Sequence, residues 1–193
     1  MMPEMLNYVI NNFYTDLQYK TLSEKHTNFL KEIVMRTAKL VAKWQAYGFC
    51  HGVLNTDNMS IIGITIDYGP FAFMEHYNPK FICNYSDKEG RYRYEAQPEI
   101  CLFNLKKLLE SLDQFAKMSN SDLESCYWQT YNSEYDMQMQ NKLGLMQPNP
   151  ALVKDLFEVM EKTGNDFTNT FRILSKIQKE DSLNEDVIVR LIG

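Results

Sequence analysis

The sequence predicts a mainly α-helical protein with one small β-hairpin, organised as a single domain. Three observations lead to this prediction. Apolar residues recur at helical spacing over most of the chain, capping residues and glycines mark the helix ends, and one short β-branched stretch interrupts the helical pattern. The chain has 193 residues, of which 45% are hydrophobic, and this provides enough apolar material for one core.

The longest predicted helix extends from Thr21 to Tyr47. Apolar residues recur in it at steps of three and four, the period of one helix face: Leu30, Ile33, Val34, Ala38, Val41 and Trp44. Thr21 and Glu24 have the spacing of a capping box. Gly48 can adopt the left-handed backbone that ends many helices. The helix therefore leads directly into the polar segment HGVLNTDN.

The β-hairpin is predicted immediately after that segment. Met59–Ile62 and Ile64–Asp67 are rich in β-branched residues, and Gly63 separates them. Residues 78–97 are polar and predict a loop.

Five further helices are predicted in the second half of the chain. Their starts are marked by Pro98, by a Ser121–Glu124 capping box, by Asn149-Pro150, by Asp166 and by Asn184. The first of them extends to Phe115, and the next two end at Gly144 and Gly164.

Charge, cysteine spacing and hydropathy argue against several classes of protein. A net charge of −5 argues against broad binding to nucleic acid or to an anionic membrane. The four cysteines form no C-x-x-C pair, which predicts reduced thiols and no zinc site. No apolar run reaches the roughly 18 residues of a membrane span. The N-terminal residues do not resemble a targeting signal.

The segment HGVLNTDNMSIIGITID contains side chains suited to a metal-bound nucleotide. Carboxylate and amide oxygens are hard ligands of the kind that Mg²⁺ prefers. Protein kinases hold the Mg²⁺ of ATP with the Asn that ends the catalytic loop and the Asp that begins D-F-G. Asn58 and Asp67 have the corresponding positions here, and Asp67 begins a D-Y-G sequence.

One position departs from the kinase pattern. Small-molecule kinases related to protein kinases often read H-G-D-x-x-x-x-N, whereas this chain reads H-G-V-L-N-T-D-N. Val53 therefore replaces the Asp that acts on the attacking hydroxyl, and an isopropyl group cannot accept a proton. Asp57 is the nearby carboxylate that could replace it, although an Asp-Asn pair also suits a simple turn.

These residues resemble selenoprotein O, a pseudokinase family of protein adenylyltransferases. The matching segments are FCHGVLNTDNMSIIGITIDYGPFAFME, GRYRYEAQPEICLFNL and TGNDFTNTF, together with LNYVINNFY and RTAKLVAKWQ near the N-terminus. The resemblance covers nearly the whole chain. It implies that residues 1–193 form the lower, C-terminal lobe of a kinase-like fold with a helical C-terminal extension. No G-x-G pair occurs, so the N-terminal lobe is expected to be absent from this chain.

The resemblance also implies an activity. Members of this family transfer AMP from ATP to the hydroxyl groups of Ser, Thr and Tyr in proteins. Asp57 matches the family's proton acceptor, Asn58 and Asp67 match its Mg²⁺ ligands, and Asp67 also matches a nucleotide contact. ATP and hydroxyl-bearing proteins are the expected partners, and the eukaryotic relatives suggest a mitochondrial location.

Two other functions are compatible with the residues. The chain could be a catalytically inactive, truncated pseudokinase lobe that binds a protein partner through exposed apolar surface. A metal-dependent hydrolase built on Asp57, Asn58 and Asp67 would need more ligands than the sequence offers. His51 is expected to brace the loop, Tyr68 to pack, and His26 and His76 to be solvated.

Overall fold

The computed structural model describes residues 1–17, 19 and 21–177. Within these residues the chain forms six α-helices: α1 (Met2–Phe13), α2 (Leu22–Tyr47), α3 (Gln97–Ser111), α4 (Asn120–Leu143), α5 (Pro150–Thr163) and α6 (Phe167–Leu174). Two short strands, β1 (Phe49–Cys50) and β2 (Ala72–Phe73), pair antiparallel. The mainly helical prediction is confirmed, and the helix predicted from Asn184 lies outside the described residues.

Helix α2 is the centre of the fold. The Thr21 hydroxyl accepts a hydrogen bond from the Glu24 N–H, the Glu24 carboxylate accepts one from the Thr21 N–H, and Gly48 ends the helix with φ of 70°. This confirms the predicted capping box and the predicted stop. One face of α2 is fully buried against α3 and α4, through residues that include Leu30, Val34, Ala38 and Val41.

Helices α5 and α6 begin where the sequence predicts, but α3 and α4 differ. The capping box of α4 is formed by Ser119 and Asp122, so this helix begins two residues before the predicted one. Helix α3 ends before Phe115, because the Leu112 N–H bonds to the carbonyls of both Leu108 and Leu109 and so tightens the last turn. Helix α1 was not predicted.

The predicted hairpin of Met59–Ile62 and Ile64–Asp67 does not form. Residues 59–67 adopt turns and irregular backbone, whereas the small sheet joins Phe49 to Phe73 and Cys50 to Ala72. High β propensity reflects packing on a pleated surface rather than a fixed backbone preference. Side chains from the end of α1 and from α2 bind residues 59–67 instead. The Tyr14 hydroxyl donates to the Ile61 carbonyl, and the Trp44 indole N–H donates to the Thr65 hydroxyl.

A second core lies under α5 and α6, where Phe157, Phe167 and Phe171 pack together. Lys142 on α4 connects this core to the end of α2. Its ammonium donates to the Ala46 carbonyl at 2.6 Å and lies 3.4 Å from the centre of the Phe171 ring. Burial lowers the pKa of Lys142 to about 7. No helix in the described part of the chain has the length and apolar character needed to cross a bilayer.

We expect Gly48→Ala to destabilise the protein more than Gly144→Ala. Both glycines end helices in the left-handed conformation, with φ of 70° and 64°, so an alanine at either position costs about 1 kcal/mol. A Cβ at Gly48 would also lie 2.8 Å from the Phe167 ring, whereas nothing lies within 4 Å at Gly144. Crowding of this kind costs about 1–3 kcal/mol more. Urea denaturation measures both variants, and equal losses would contradict the contact with Phe167.

Candidate metal and nucleotide site

The segment that follows β1 is held by side-chain amides rather than by a sheet. Residues 51–59 contain no helix or strand. The Asn84 amide donates to the Gly52 carbonyl at 3.1 Å, and the buried Asn104 amide donates to the Leu54 carbonyl at 2.9 Å. Both donors lie more than 30 residues further along the chain. Asn104 on α3 and Asn84 in the segment before α3 therefore fix the position of the loop.

Asn58 has a fixed orientation within this loop. Its side-chain N–H donates to the Val53 carbonyl at 2.9 Å, and its backbone N–H donates to the Asn55 carbonyl at 3.1 Å. Because the amide nitrogen is bound, the Oδ1 atom is directed away from the Val53 carbonyl. No described residue donates a hydrogen bond to Oδ1. A hard metal ion is a suitable partner for an oxygen of this kind.

Asp67 is the one described non-glycine residue with a left-handed backbone, at φ of 54°. Asp tolerates this conformation better than most residues, and the surrounding hydrogen bonds hold it there. The Gly69 N–H donates to the Asp67 carbonyl at 2.8 Å, and the His51 ring bonds to the Ile66 carbonyl at 2.9 Å. The Asp67 carboxylate is exposed and makes no hydrogen bond or ion pair with a described residue.

His51 links the loop to Asp67 from beneath. Only 1% of its surface is exposed. A carbonyl can only accept, so the Nε2 atom that bonds to Ile66 carries the ring proton. The buried Nδ1 atom has no partner among the described residues. Burial lowers the pKa of His51, although the Ile66 carbonyl and the Asp67 carboxylate oppose this change. This geometry agrees with the predicted bracing role.

Asp57 is exposed in the turn just before Asn58. Its carboxylate has no hydrogen-bond or ion-pair partner in the part of the chain that the structure describes. Asp57 therefore lies in a turn, as the structural alternative for the Asp-Asn pair expects, although its side chain makes no capping hydrogen bond with a described residue. Both predicted ligands and the predicted proton acceptor lie in the loops that follow β1. The Asn58 side chain bonds to the Val53 backbone, and Asp67 follows the Ile66 carbonyl that the His51 ring binds.

An exposed aromatic patch adjoins Asp67. Tyr68, Phe71 and Phe73 are exposed and contact the ring of buried Phe49, and Ile64 is also exposed, three residues before Asp67. Tyr68 packs against the rings of Phe49 and Phe71 in T-shaped contacts, as predicted, although 59% of its surface is exposed. The prediction for His26 is wrong, since that ring is buried against Phe115. His76 is exposed, as predicted.

The structure also bears on two other kinds of site. All four cysteines are free, as predicted. In the described ranges, no three His, Cys, Asp or Glu side chains are close enough together to hold a metal ion. A metal held by protein ligands alone has no candidate position there. A metal that brings its own oxygen ligands, such as the phosphates of a nucleotide, needs only one or two protein oxygens.

Sequence reasoning missed the residues that support this loop. Asn84, Gln97 and Asn104 all bond to the backbone between Phe49 and Leu54. Gln97 and Asn104 are buried on α3 at positions where a polar residue resembles part of a solvated helix face. No spacing rule marks such residues, because their partners are backbone atoms and not other side chains.

Comparisons with known proteins identify close relatives of this sequence. Residues 1–191 match the family model described as "Protein adenylyltransferase SelO". The chain is 50% identical over 181 residues to protein adenylyltransferase SelO-1, mitochondrial, of Danio rerio. The matched region covers 90% of this chain and 26% of that protein. It is 46% identical over 186 residues to the mitochondrial SelO of Homo sapiens, covering 92% of this chain and 28% of that protein.

A bacterial relative extends this similarity. The chain is 39% identical over 184 residues to the protein nucleotidyltransferase YdiU of Salmonella paratyphi B, covering 93% of this chain and 38% of the relative. The chain therefore spans between about a quarter and two fifths of the length of the curated relatives that it matches.

We expect His51 to make the protein less stable as the pH falls. Its pKa in the folded state is lower than the ordinary value of 6.5, so below that value the unfolded chain binds a proton that the folded chain does not. The stability that depends on neutral His51 is complete above pH 6.5 and is lost on acidification. His51→Gln, which keeps a donor for Ile66, should reduce the fall in the urea midpoint between pH 7.5 and 5.5.

The control is His76→Gln, which removes an exposed imidazole. This variant should follow the wild-type pH profile. If His51→Gln and His76→Gln have the same profile as the wild type, His51 does not carry this part of the pH dependence.

Proposed function

This chain belongs to the SelO family of protein adenylyltransferases, and we propose that it carries the metal-binding and catalytic-loop half of such an enzyme. The relatives are named as adenylyltransferases or nucleotidyltransferases, but each is more than twice as long as the region that matches. The activity of the whole relatives is therefore transferred to this chain as a proposal.

The proposed architecture is the lower lobe of a kinase-like fold over residues 1–193. The order of its parts supports this proposal. A long buried helix, α2, is followed by a loop that ends in Asn58, then by the D-Y-G segment at Asp67, and then by further helices. In protein kinases the catalytic loop and the D-F-G segment have the same order along the chain. The N-terminal lobe would come from a segment outside this chain.

The observation that carries the proposal is the state of the two ligand side chains. The Val53 carbonyl holds the Asn58 amide N–H. Among the described residues, neither the Asn58 Oδ1 atom nor the exposed Asp67 carboxylate has a hydrogen-bond or ion-pair partner. These hard oxygens fit Mg²⁺. Two protein oxygens are too few to hold the ion alone, but they suffice for an ion that the phosphates of a nucleotide also bind. Mg²⁺ bound with ATP would neutralise negative charge on the phosphates. Asp67 is also the proposed contact to the nucleotide.

Asp57 is the proposed proton acceptor. In adenylyl transfer, the hydroxyl oxygen of a Ser, Thr or Tyr side chain attacks the α-phosphorus of ATP. The bond from that phosphorus to the bridging oxygen breaks, pyrophosphate leaves, and the hydroxyl proton passes to a base. Asp57 is an exposed carboxylate with no competing partner among the described residues, so it is available to accept that proton.

Val53 contributes to this site through its backbone. Its side chain cannot accept a proton, yet its carbonyl oxygen fixes the Asn58 amide. Val53 occupies the position of the catalytic base in related kinases, but here it would orient the metal ligand Asn58. Asp57 would act as the general base instead. This division supports a reaction that differs from ordinary γ-phosphoryl transfer.

The proposed partners are ATP and proteins with accessible hydroxyl side chains. The names of the Danio rerio and Homo sapiens relatives place those proteins in mitochondria, and we propose the same compartment for this chain. The net charge of −5 supports neither nucleic acid nor an anionic membrane as a partner.

A second candidate function is a non-catalytic, protein-binding module. The aromatic patch favours it, since Phe73 is 61% exposed and Ile64, Tyr68 and Phe71 lie exposed in the same region. Contiguous exposed apolar surface commonly marks a protein interaction site. The transfer experiment below separates the two functions.

We expect the chain, incubated with Mg²⁺ and a mixture of candidate proteins, to transfer label from α-labelled ATP and not from γ-labelled ATP. Each reaction is performed with and without the N-terminal lobe of a relative, because that lobe supplies phosphate contacts. Asp67→Ala should abolish transfer, since a metal ligand is lost. Asp57→Asn should reduce the rate by about 10²- to 10⁴-fold, the usual contribution of a general base.

Asp155→Asn is the matched control, because it removes an exposed carboxylate on α5 that lies outside the loops that follow β1. This variant should retain the wild-type rate. Transfer from γ-labelled ATP alone would replace the adenylyl proposal with ordinary kinase chemistry. Absence of label from either nucleotide, with and without the added lobe, would favour the protein-binding module.

A further inference from the structure

We propose that Gln97, a buried residue of α3, is a positioning residue that sets the geometry of Asp67 through His51. The inference rests on the proposed function for its catalytic consequence, although its structural content can be tested separately. Gln97 has 0% of its surface exposed and lies 30 residues from Asp67 in the sequence. Nothing in its residue type or spacing marks it as part of a site.

The first step is the contact between Gln97 and β1. Its Nε2 atom donates to the Phe49 carbonyl at 2.9 Å, and its Oε1 atom accepts from the His51 N–H at 2.8 Å. Alternate residues of a strand direct their backbone groups to opposite edges. The Gly48 carbonyl accepts a hydrogen bond from the Met74 N–H, so the backbone groups of Gly48 and Cys50 face β2 and those of Phe49 and His51 face the other edge. The Gln97 amide therefore replaces a missing third strand.

The second step leads from His51 to Asp67. The backbone of His51 is held by Gln97, and its ring holds the Ile66 carbonyl at 2.9 Å. That carbonyl belongs to the peptide unit that joins Ile66 to Asp67. Fixing the unit restricts the φ of Asp67, which is the strained left-handed value of 54°. Three hydrogen bonds thus connect α3 to the backbone that carries the proposed metal ligand.

The chemistry of this contact requires a donor and an acceptor on one planar group. A backbone carbonyl and a backbone N–H must be satisfied by one side chain, and the primary amide of Gln97 provides both partners. An apolar side chain of equal size would leave both backbone groups buried without partners. Such groups are costly to bury, so the strand edge is expected to move.

The test compares Gln97→Met with Gln45→Met in the full chain. Gln45 is a matched control, because it is also a buried glutamine that donates to a backbone carbonyl, that of Tyr94 at 2.8 Å. The same substitution therefore removes a buried amide at both positions. Both variants should lose stability, but only Gln97→Met should change Asp67.

The structural readout is NMR, and it does not require activity. The ring ¹⁵N shifts of His51 report its tautomer, and the backbone shifts of Asp67 report its φ. We expect Gln97→Met to move both sets of signals and Gln45→Met to leave them at their wild-type positions. Equal changes in the two variants, or no change in Gln97→Met, would overturn the relay from Gln97 to Asp67.

The functional readout is kcat/KM for transfer from α-labelled ATP, corrected for the folded fraction. We expect a loss of about 10- to 100-fold in Gln97→Met, since small misplacements at a reacting centre have effects of this size. Gln45→Met should retain the wild-type value. A wild-type chain without transfer would defeat the proposed function, and the NMR comparison would still decide the relay.

Gln97→Glu is the second variant. If Gln97→Met does not fold, Gln97→Asn replaces it in every comparison, because its side chain is one methylene too short to keep both hydrogen bonds. Burial favours the protonated carboxyl, which can accept from the His51 N–H and donate to the Phe49 carbonyl. We therefore expect Gln97→Glu to keep the Asp67 shifts closer to wild type than Gln97→Met does. If neither substitution moves those shifts, or if Gln97→Glu moves them while Gln97→Met does not, Gln97 does not position Asp67.

Discussion

The structure depends on one constraint: the backbone N–H and carbonyl groups of the segment that connects α2 to α3 must find hydrogen-bond partners. Residues 48–96 contain β1, β2 and a single turn of 3₁₀ helix, and residues 48–52 and Leu54 of this segment are buried. A buried N–H or carbonyl without a partner is costly, so the segment needs partners that a sheet would otherwise provide. Side-chain amides supply many of them, from Gln45 on α2, from Gln97 and Asn104 on α3, and from Asn84.

This arrangement gives an irregular loop the rigidity of the helices around it. A loop that was held only by its own turns would exchange among several backbone conformations. Here Asn104 fixes the Leu54 carbonyl and the Val53 carbonyl orients Asn58, so each element of the candidate site is one or two hydrogen bonds from α3 or β1. The exposed carboxylates of Asp57 and Asp67 are thus presented on a backbone that does not need them for its own stability.

The sequence was informative where local interactions decide the structure. Helix α2 was predicted at both ends, because Thr21, Glu24 and Gly48 act on their immediate neighbours. The motif fixes the order of Asp57, Asn58 and Asp67 along the chain, so sequence reasoning could name them, and their roles stay predictions. The hairpin at residues 59–67 was wrong, since Ile61 and Ile62 pack against the core and no residue there pairs with a strand. The amides of Gln97 and Asn104 could not have been found, because their partners are backbone atoms roughly 50 residues away.

The long separation between these amides and their partners also governs the order in which the protein is built. The contacts of Gln97 and Asn104 close loops of 46 to 50 residues, whereas α2 needs only contacts within one or two turns. Local structure forms first and distant pairings form later. During synthesis, the loop with Asp57 and Asn58 leaves the ribosome well before α3 exists. A nascent chain that ends before residue 97 can form α2, but it lacks the Gln97 and Asn104 amides that hold the Phe49 and Leu54 carbonyls.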